Sequence, residues 1–165
     1  MKTNSGTILM NNLQKAEEIA LKLLKVRHSR RKLAEKLMYK GFSRDIITEV
    51  CDKMEQLGYI NDRDYAEAFV HDCVMLRRYG PRKIRQALYQ RGISGEHYSR
   101  SMENVDEEIH LENLRFLLTK FSSGMEALSS YDAGRFYRKM EARGFFRNQI
   151  ESVLSEIEIL EEYSE

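Results

Sequence analysis

Apolar residues recur along this chain at steps of three and four, with polar residues between them. No stretch sustains the strict alternation of a half-buried strand, so the pattern predicts helices throughout. Nine are expected. The first spans 12–26, with Leu13, Ile19, Ala20, Leu23 and Leu24 as its buried stripe. Segments 30–40 and 44–57 follow, and Gly58 ends that group. Asn61 or Asp62 caps a fourth helix, whose apolar face is Tyr65, Ala66, Phe69, Val70 and Cys73. The remaining helices are expected at 81–91, 95–104, 107–121, 132–143 and 147–161, with 122–131 as a longer loop.

The helices fall into groups of three because one register occurs three times. Gly41, Gly92 and Gly144 stand 51 and 52 residues apart, each between a cation and an apolar residue. Leu33 and Leu37, Ile84 and Leu88, and Phe136 and Met140 stand eight and four residues before their glycine, on one helical face. Twelve residues before each glycine stands Ser29, Gly80 or Asp132, residues suited to a helix start. Nine before stands Lys32, Lys83 or Arg135. Each glycine fits the left-handed position that ends a helix. The predicted fold class is therefore all-α: three tandem three-helix repeats in an elongated, curved arrangement. The expected divisions are a flexible arm at 1–11 and repeats at 12–60, 61–105 and 106–165. The expectation is of a wholly helical chain, with any strand counting against it and with the six paired apolar residues buried.

Charge sharpens this picture. The net charge of +1 conceals segregation: residues 22–44 hold nine Lys/Arg and one acid, and 77–91 hold six and none. Residues 135–147 hold five and one acid, whereas 151–165 hold six acids and no base. The middle helix of every repeat is thus the basic one, and stacked repeats could present a discontinuous cationic track. Lys32, Lys83 and Arg135 are expected to flank the buried stripe and stay accessible. No apolar run approaches a membrane span, and the first twelve residues lack the pattern of a signal peptide. Cys51 and Cys73 form no pair motif, which suits a reducing cytoplasm.

Several segments resemble the RecX regulatory proteins. Arg27-His28-Ser29-Arg30-Arg31-Lys32-Leu33, running to Lys40-Gly41-Phe42, is similar to that family's first repeat. Ile60-Asn61-Asp62-Arg63-Asp64-Tyr65-Ala66 resembles the junction into its second. Arg78-Tyr79-Gly80-Pro81-Arg82-Lys83-Ile84, running to Arg91-Gly92-Ile93, resembles the second repeat's signature. Phe136 through Arg143-Gly144-Phe145 is similar to the third. The resemblance covers roughly 13–157. It implies a monomeric modulator of the RecA recombinase that binds the RecA–DNA filament and restrains its growth, ATP hydrolysis and strand exchange. Single- or double-stranded DNA is a further candidate partner. The filament-binding residues it implies are Arg30, Arg31, Lys32, Arg82, Lys83, Arg85, Arg135 and Arg138.

Catalytic chemistry is not evident. There is no Walker loop, no Gly-x-Gly-x-x-Gly and no serine elbow. His28, His71, His97 and His110 lack metal-ligand spacing to one another or to the cysteines. No enzyme, metal or cofactor is therefore expected. The competing readings are a helix-turn-helix-like DNA-binding protein and a passive helical adaptor. Gln86 and Gln90 are the only amides on a middle helix, so the exposed side chains suit phosphate contact better than base readout.

Overall fold

The computed structural model describes residues 5–125 and 127–160. In chain order it forms α1 (Ser5–Leu23), α2 (Arg30–Tyr39), α3 (Arg44–Gln56), α4 (Asp62–Met75), α5 (Pro81–Gln90), α6 (Gly95–Glu103) and α7 (Glu107–Ser122). A short strand β1 (Ala127–Ser129) precedes α8 (Ser130–Ala142) and α9 (Arg147–Leu154), and β2 (Glu158–Leu160) follows. No described helix is long and apolar enough to cross a membrane.

The helices begin and end where side chains satisfy the free backbone groups. The Ser29 hydroxyl accepts the Lys32 amide, Asn61 accepts those of Arg63 and Asp64, and Asp106 accepts that of Glu108. Pro81 opens α5, where no amide hydrogen is required. The three middle helices end alike. Gly41, Gly92 and Gly144 have φ of +86°, +76° and +89°. Each glycine amide donates three residues back, to Met38, Tyr89 or Glu141. The following amide donates five back, from Phe42 to Leu37, Ile93 to Leu88 and Phe145 to Met140. This is the Schellman pattern, whose apolar contact joins the same two positions. The apolar residues at −4 and +1 in the repeated register are the two sides of that contact.

Three separate cores result. Leu33, Leu37, Val50, Cys51 and Met54 centre the first, with Ala16 and Ala20 of α1. Val70, Cys73, Ile84 and Leu88 centre the second, and Phe136, Met140, Phe145, Ile150 and Val153 the third. All six paired apolar residues are buried, with at most 1% exposure.

The sequence expectations need correction at four places. Helix α1 begins at Ser5, within the segment expected to be an arm, and ends at Leu23 rather than 26; Met1–Asn4 lie outside the described residues. Helix α8 begins at Ser130, with Ser129 rather than the repeated helix-start position Asp132 as its cap, so Gly134 lies in its second turn. Helix α9 stops at Leu154 instead of continuing to 161. The chain is also not wholly helical. β1 and β2 pair in parallel, with Leu128 opposite Ile159. The pair is confined to the linker before α8 and the tail after α9, outside the repeated register. It forms because Leu128, 2% exposed, enters the third core and fixes the linker in an extended path beside the tail.

Candidate functional site: a file of basic helices

The middle helices α2, α5 and α8 meet end to end. At the first joint the buried Ser29, which caps α2, donates its hydroxyl to the Arg91 carbonyl at the end of α5, at 2.7 Å. The Arg30 amide donates to the Asp62 carboxylate of α4, at 2.8 Å. Gly92 lies so close to Arg31 that a Cβ there would fall 2.4 Å from its side chain.

The second joint repeats the arrangement between α5 and α8. The Gly80 amide donates to the Arg143 carbonyl at 2.9 Å, and the Arg82 amide to the Gly144 carbonyl at 3.0 Å. The backbones touch: a Cβ at Gly80 would stand 2.2 Å from the Phe145 nitrogen, and one at Gly144 2.3 Å from the Lys83 nitrogen. The Arg143 guanidinium closes the joint by donating to the Arg77 and Arg78 carbonyls, 5.4 Å from the centre of the Tyr79 ring. In both joints a helix amino end, with its free amides and positive dipole, meets the carbonyl end of the next module's middle helix. The basic helices therefore form one file, running α8, α5, α2 from amino to carboxyl end.

Each candidate cation can now be placed. Arg30 is tied to Asp52 and Glu55 of α3. Burial works against its charge, but the Asp52 hydrogen bond and charge, with Glu55, outweigh that and raise its pKa. Arg31 and Lys32 share Glu35, whose carboxyl is held below its ordinary range first by Lys32 and then by Arg31. Arg135 pairs with Asp132 at 3.0 Å. Arg138 is exposed beside Gly134.

Helix α5 differs. Among the described residues none of its cations forms an ion pair. Arg82 and Arg85 are exposed, and Arg85 lies 5.8 Å from the centre of the Tyr98 ring. Tyr89, 75% exposed, and Gln86 share this outer face, on which no acid stands. Lys83 departs from expectation. It is half-buried, with its backbone against Gly144 and its ammonium 4.3 Å above the Tyr79 ring, because its register position falls inside the joint.

Sequence reasoning treated Arg91 and Arg143 only as cations at helix ends. Arg91 instead bonds the Ala87 carbonyl and lies 4.4 Å above the Phe69 ring, while Arg143 clasps the preceding module. The signal was the cation before every glycine, and its long-range partner was not readable. Arg78, at φ +49° and 3.9 Å above the Phe116 ring, opens the segment that resembles the second repeat's signature, but neither its backbone conformation nor its ring partner was readable there. Cys51 and Cys73 are buried in different cores, and burial raises both thiols. No group of three or more potential metal ligands occurs among the described residues.

Comparison with known proteins places this geometry. A family model described as RecX, second three-helix domain, matches residues 61–101, the segment holding α4, α5 and most of α6. The chain is 30% identical over 145 residues to "Regulatory protein RecX" of Chlorobium phaeobacteroides, covering 87% of this chain and 94% of that one. It is 29% identical over 154 residues to the protein of that name from Clostridioides difficile, covering 90% and 71%. The crystal structure of RecX from Lactobacillus salivarius superposes with a TM-score of 0.77 at 22% identity, covering 89% of this chain and 97% of that one. A second crystal structure, of a regulatory protein RecX, gives 0.79 at 18%, covering 94% and 79%. Those two likenesses show that the tandem three-helix fold is shared.

Proposed function

The chain belongs to the RecX family of regulatory proteins, and from that premise we propose that it binds the RecA–DNA filament and restrains RecA's recombinase and ATPase activity. The observation that carries this reading is the outer face of α5, where Arg82 and Arg85 stand exposed and, among the described residues, form no ion pair. It lies within the segment the family model matches. Exposed ion pairs such as those of Arg31 and Lys32 leave little net attraction for a partner. Unpaired cations on a rigid helix keep theirs. On this reading the chain works as three modules divided near residues 60 and 105, the first holding all of α1, and the second leads. Arg30, Arg31, Lys32, Lys83, Arg135 and Arg138 supply secondary contacts along the file. The protein acts by occupancy in the bacterial cytoplasm, changing RecA's turnover rather than catalysing a reaction itself.

Direct binding to naked DNA is the second reading, favoured by Gln86 and Tyr89 beside Arg82 and Arg85. One double variant separates the two. Arg82→Glu with Arg85→Glu spares Lys83 and therefore the joint. It is expected to melt as the parent does, within about ±0.5 kcal/mol. It should lose at least tenfold in co-sedimentation with RecA filaments on single-stranded DNA and no longer slow their ATPase. Unchanged inhibition would refute the proposal. Parent protein that binds duplex DNA but ignores filaments would favour the second reading.

A further inference from the structure

The file of basic helices has one closed end and one open end. At the closed end α8 runs a turn longer than its register requires. The Ser129 hydroxyl caps its own helix at Asp132, and the Ser130 hydroxyl donates to the Leu160 carbonyl of β2. At the open end stands the carboxyl end of α2. Arg91, Arg143 and Gly144 each accept a bond from the neighbouring module through their carbonyls. Among the described residues Lys40 and Gly41, their counterparts, accept none, and nothing lies within 4 Å of where a Gly41 Cβ would stand. A cavity of about 580 Å³ adjoins this turn, lined by Asn12, Lys15 and Ile19 of α1 with Lys40, Phe42 and Ile46. Its rim carries two lysines and no acid.

We infer that this open end is a docking site for the amino-terminal turn of a helix on the filament protein. The two internal joints specify the occupant. It brings free backbone amides to the Lys40 and Gly41 carbonyls, as Gly80 and Arg82 do at Arg143 and Gly144. Its cap residue is small, Ser or Gly, because Ser29 and Gly80 fill that place in close contact. Its first turn carries an acid, which faces Lys15 and Lys40 and is itself favoured at a helix amino end. In a second copy of this chain the amino end of α6, with Ser94 as cap and Glu96 in its first turn, offers the same chemistry, and the cross-link below separates the two occupants. The identity of the partner rests on the proposed function; the chemistry of the site rests on the joints.

The test uses the full chain. Lys15→Glu with Lys40→Glu alters exposed residues that belong to no joint. Melting should be unchanged and filament co-sedimentation should fall at least tenfold. Parent protein that fails to sediment with filaments would sink the proposed function and this inference together. Parent that sediments alongside an equally good double variant would overturn the inference alone. The occupant is identified with a benzophenone placed on Asn12→Cys, the native cysteines being buried. Cross-links to the first turn of a helix in RecA are expected. Links to a second copy of this chain, to its own first four residues or to the DNA would overturn the assignment.

Discussion

At Gly144 two demands meet. The backbone is left-handed, and the Lys83 backbone presses against the space a side chain would fill. Gly41 faces only the first demand. Gly41→Ala should therefore cost about 1–2 kcal/mol, the ordinary penalty for an L-residue in that region. Gly144→Ala should cost roughly 1–3 kcal/mol more, because a joint backbone must move. Urea midpoints of the two variants measure the difference, and equal shifts would show that the joint yields freely. The left-handed conformation of all three glycines was legible from neighbouring residues, since it is a local property of helix ends. The close approach was not, because its partner lies about 60 residues away along the chain. Lys83 shows the same limit: its helical position was readable, but not the module that covers it.

Among elements, α5 has the clearest division of labour. Ile84 and Leu88 are fully buried, while Arg82, Arg85, Gln86 and Tyr89 face outward. Leu88 also closes the Schellman turn, where its carbonyl accepts from Ile93. Leu88→Ala should cost roughly 2–5 kcal/mol, read as a drop in the urea midpoint. A midpoint equal to the parent's would remove Leu88 from the core. Most helices were legible because a stripe at three- and four-residue steps and a capping residue coincide at each. β1 and β2 were not, since three residues are too few to show alternation. The acidic, partly apolar run after Leu154 reads equally well as two further turns of α9. Only the burial of Leu128 decides for a strand, and burial depends on the whole third module.

At the scale of the molecule, the third module contains a titratable weak point. His110 of α7 is 3% exposed, neither ring nitrogen has a hydrogen-bond partner among the described residues, and its ring meets Phe145 edge-on. Burial lowers its pKa, with Glu107 acting in the opposite sense. The folded ring thus takes its proton less readily than the unfolded one. Its contribution to stability is complete above about pH 6.5 and is lost as pH falls toward the depressed folded value. His28, lowered chiefly by burial and then by Lys36, adds in the same direction. The urea midpoint should fall between pH 7 and pH 5, and His110→Leu should flatten that fall. An equal slope in the variant would clear His110 of the effect.

The joints also set an order of events during synthesis. Ser29 of α2 awaits Arg91, 62 residues later, and Arg78 of the second module awaits Arg143, 65 residues later. β1 must likewise wait for β2 before it can pair. Domains tend to fold as they leave the ribosome, amino-terminal first. Here each module can collapse on its own core, yet the amino end of its middle helix stays unlatched until the next module emerges. The nascent protein therefore closes like a zip fastened from behind, each tooth held by the one still to be made. The last to close is the strand pair that ends the file.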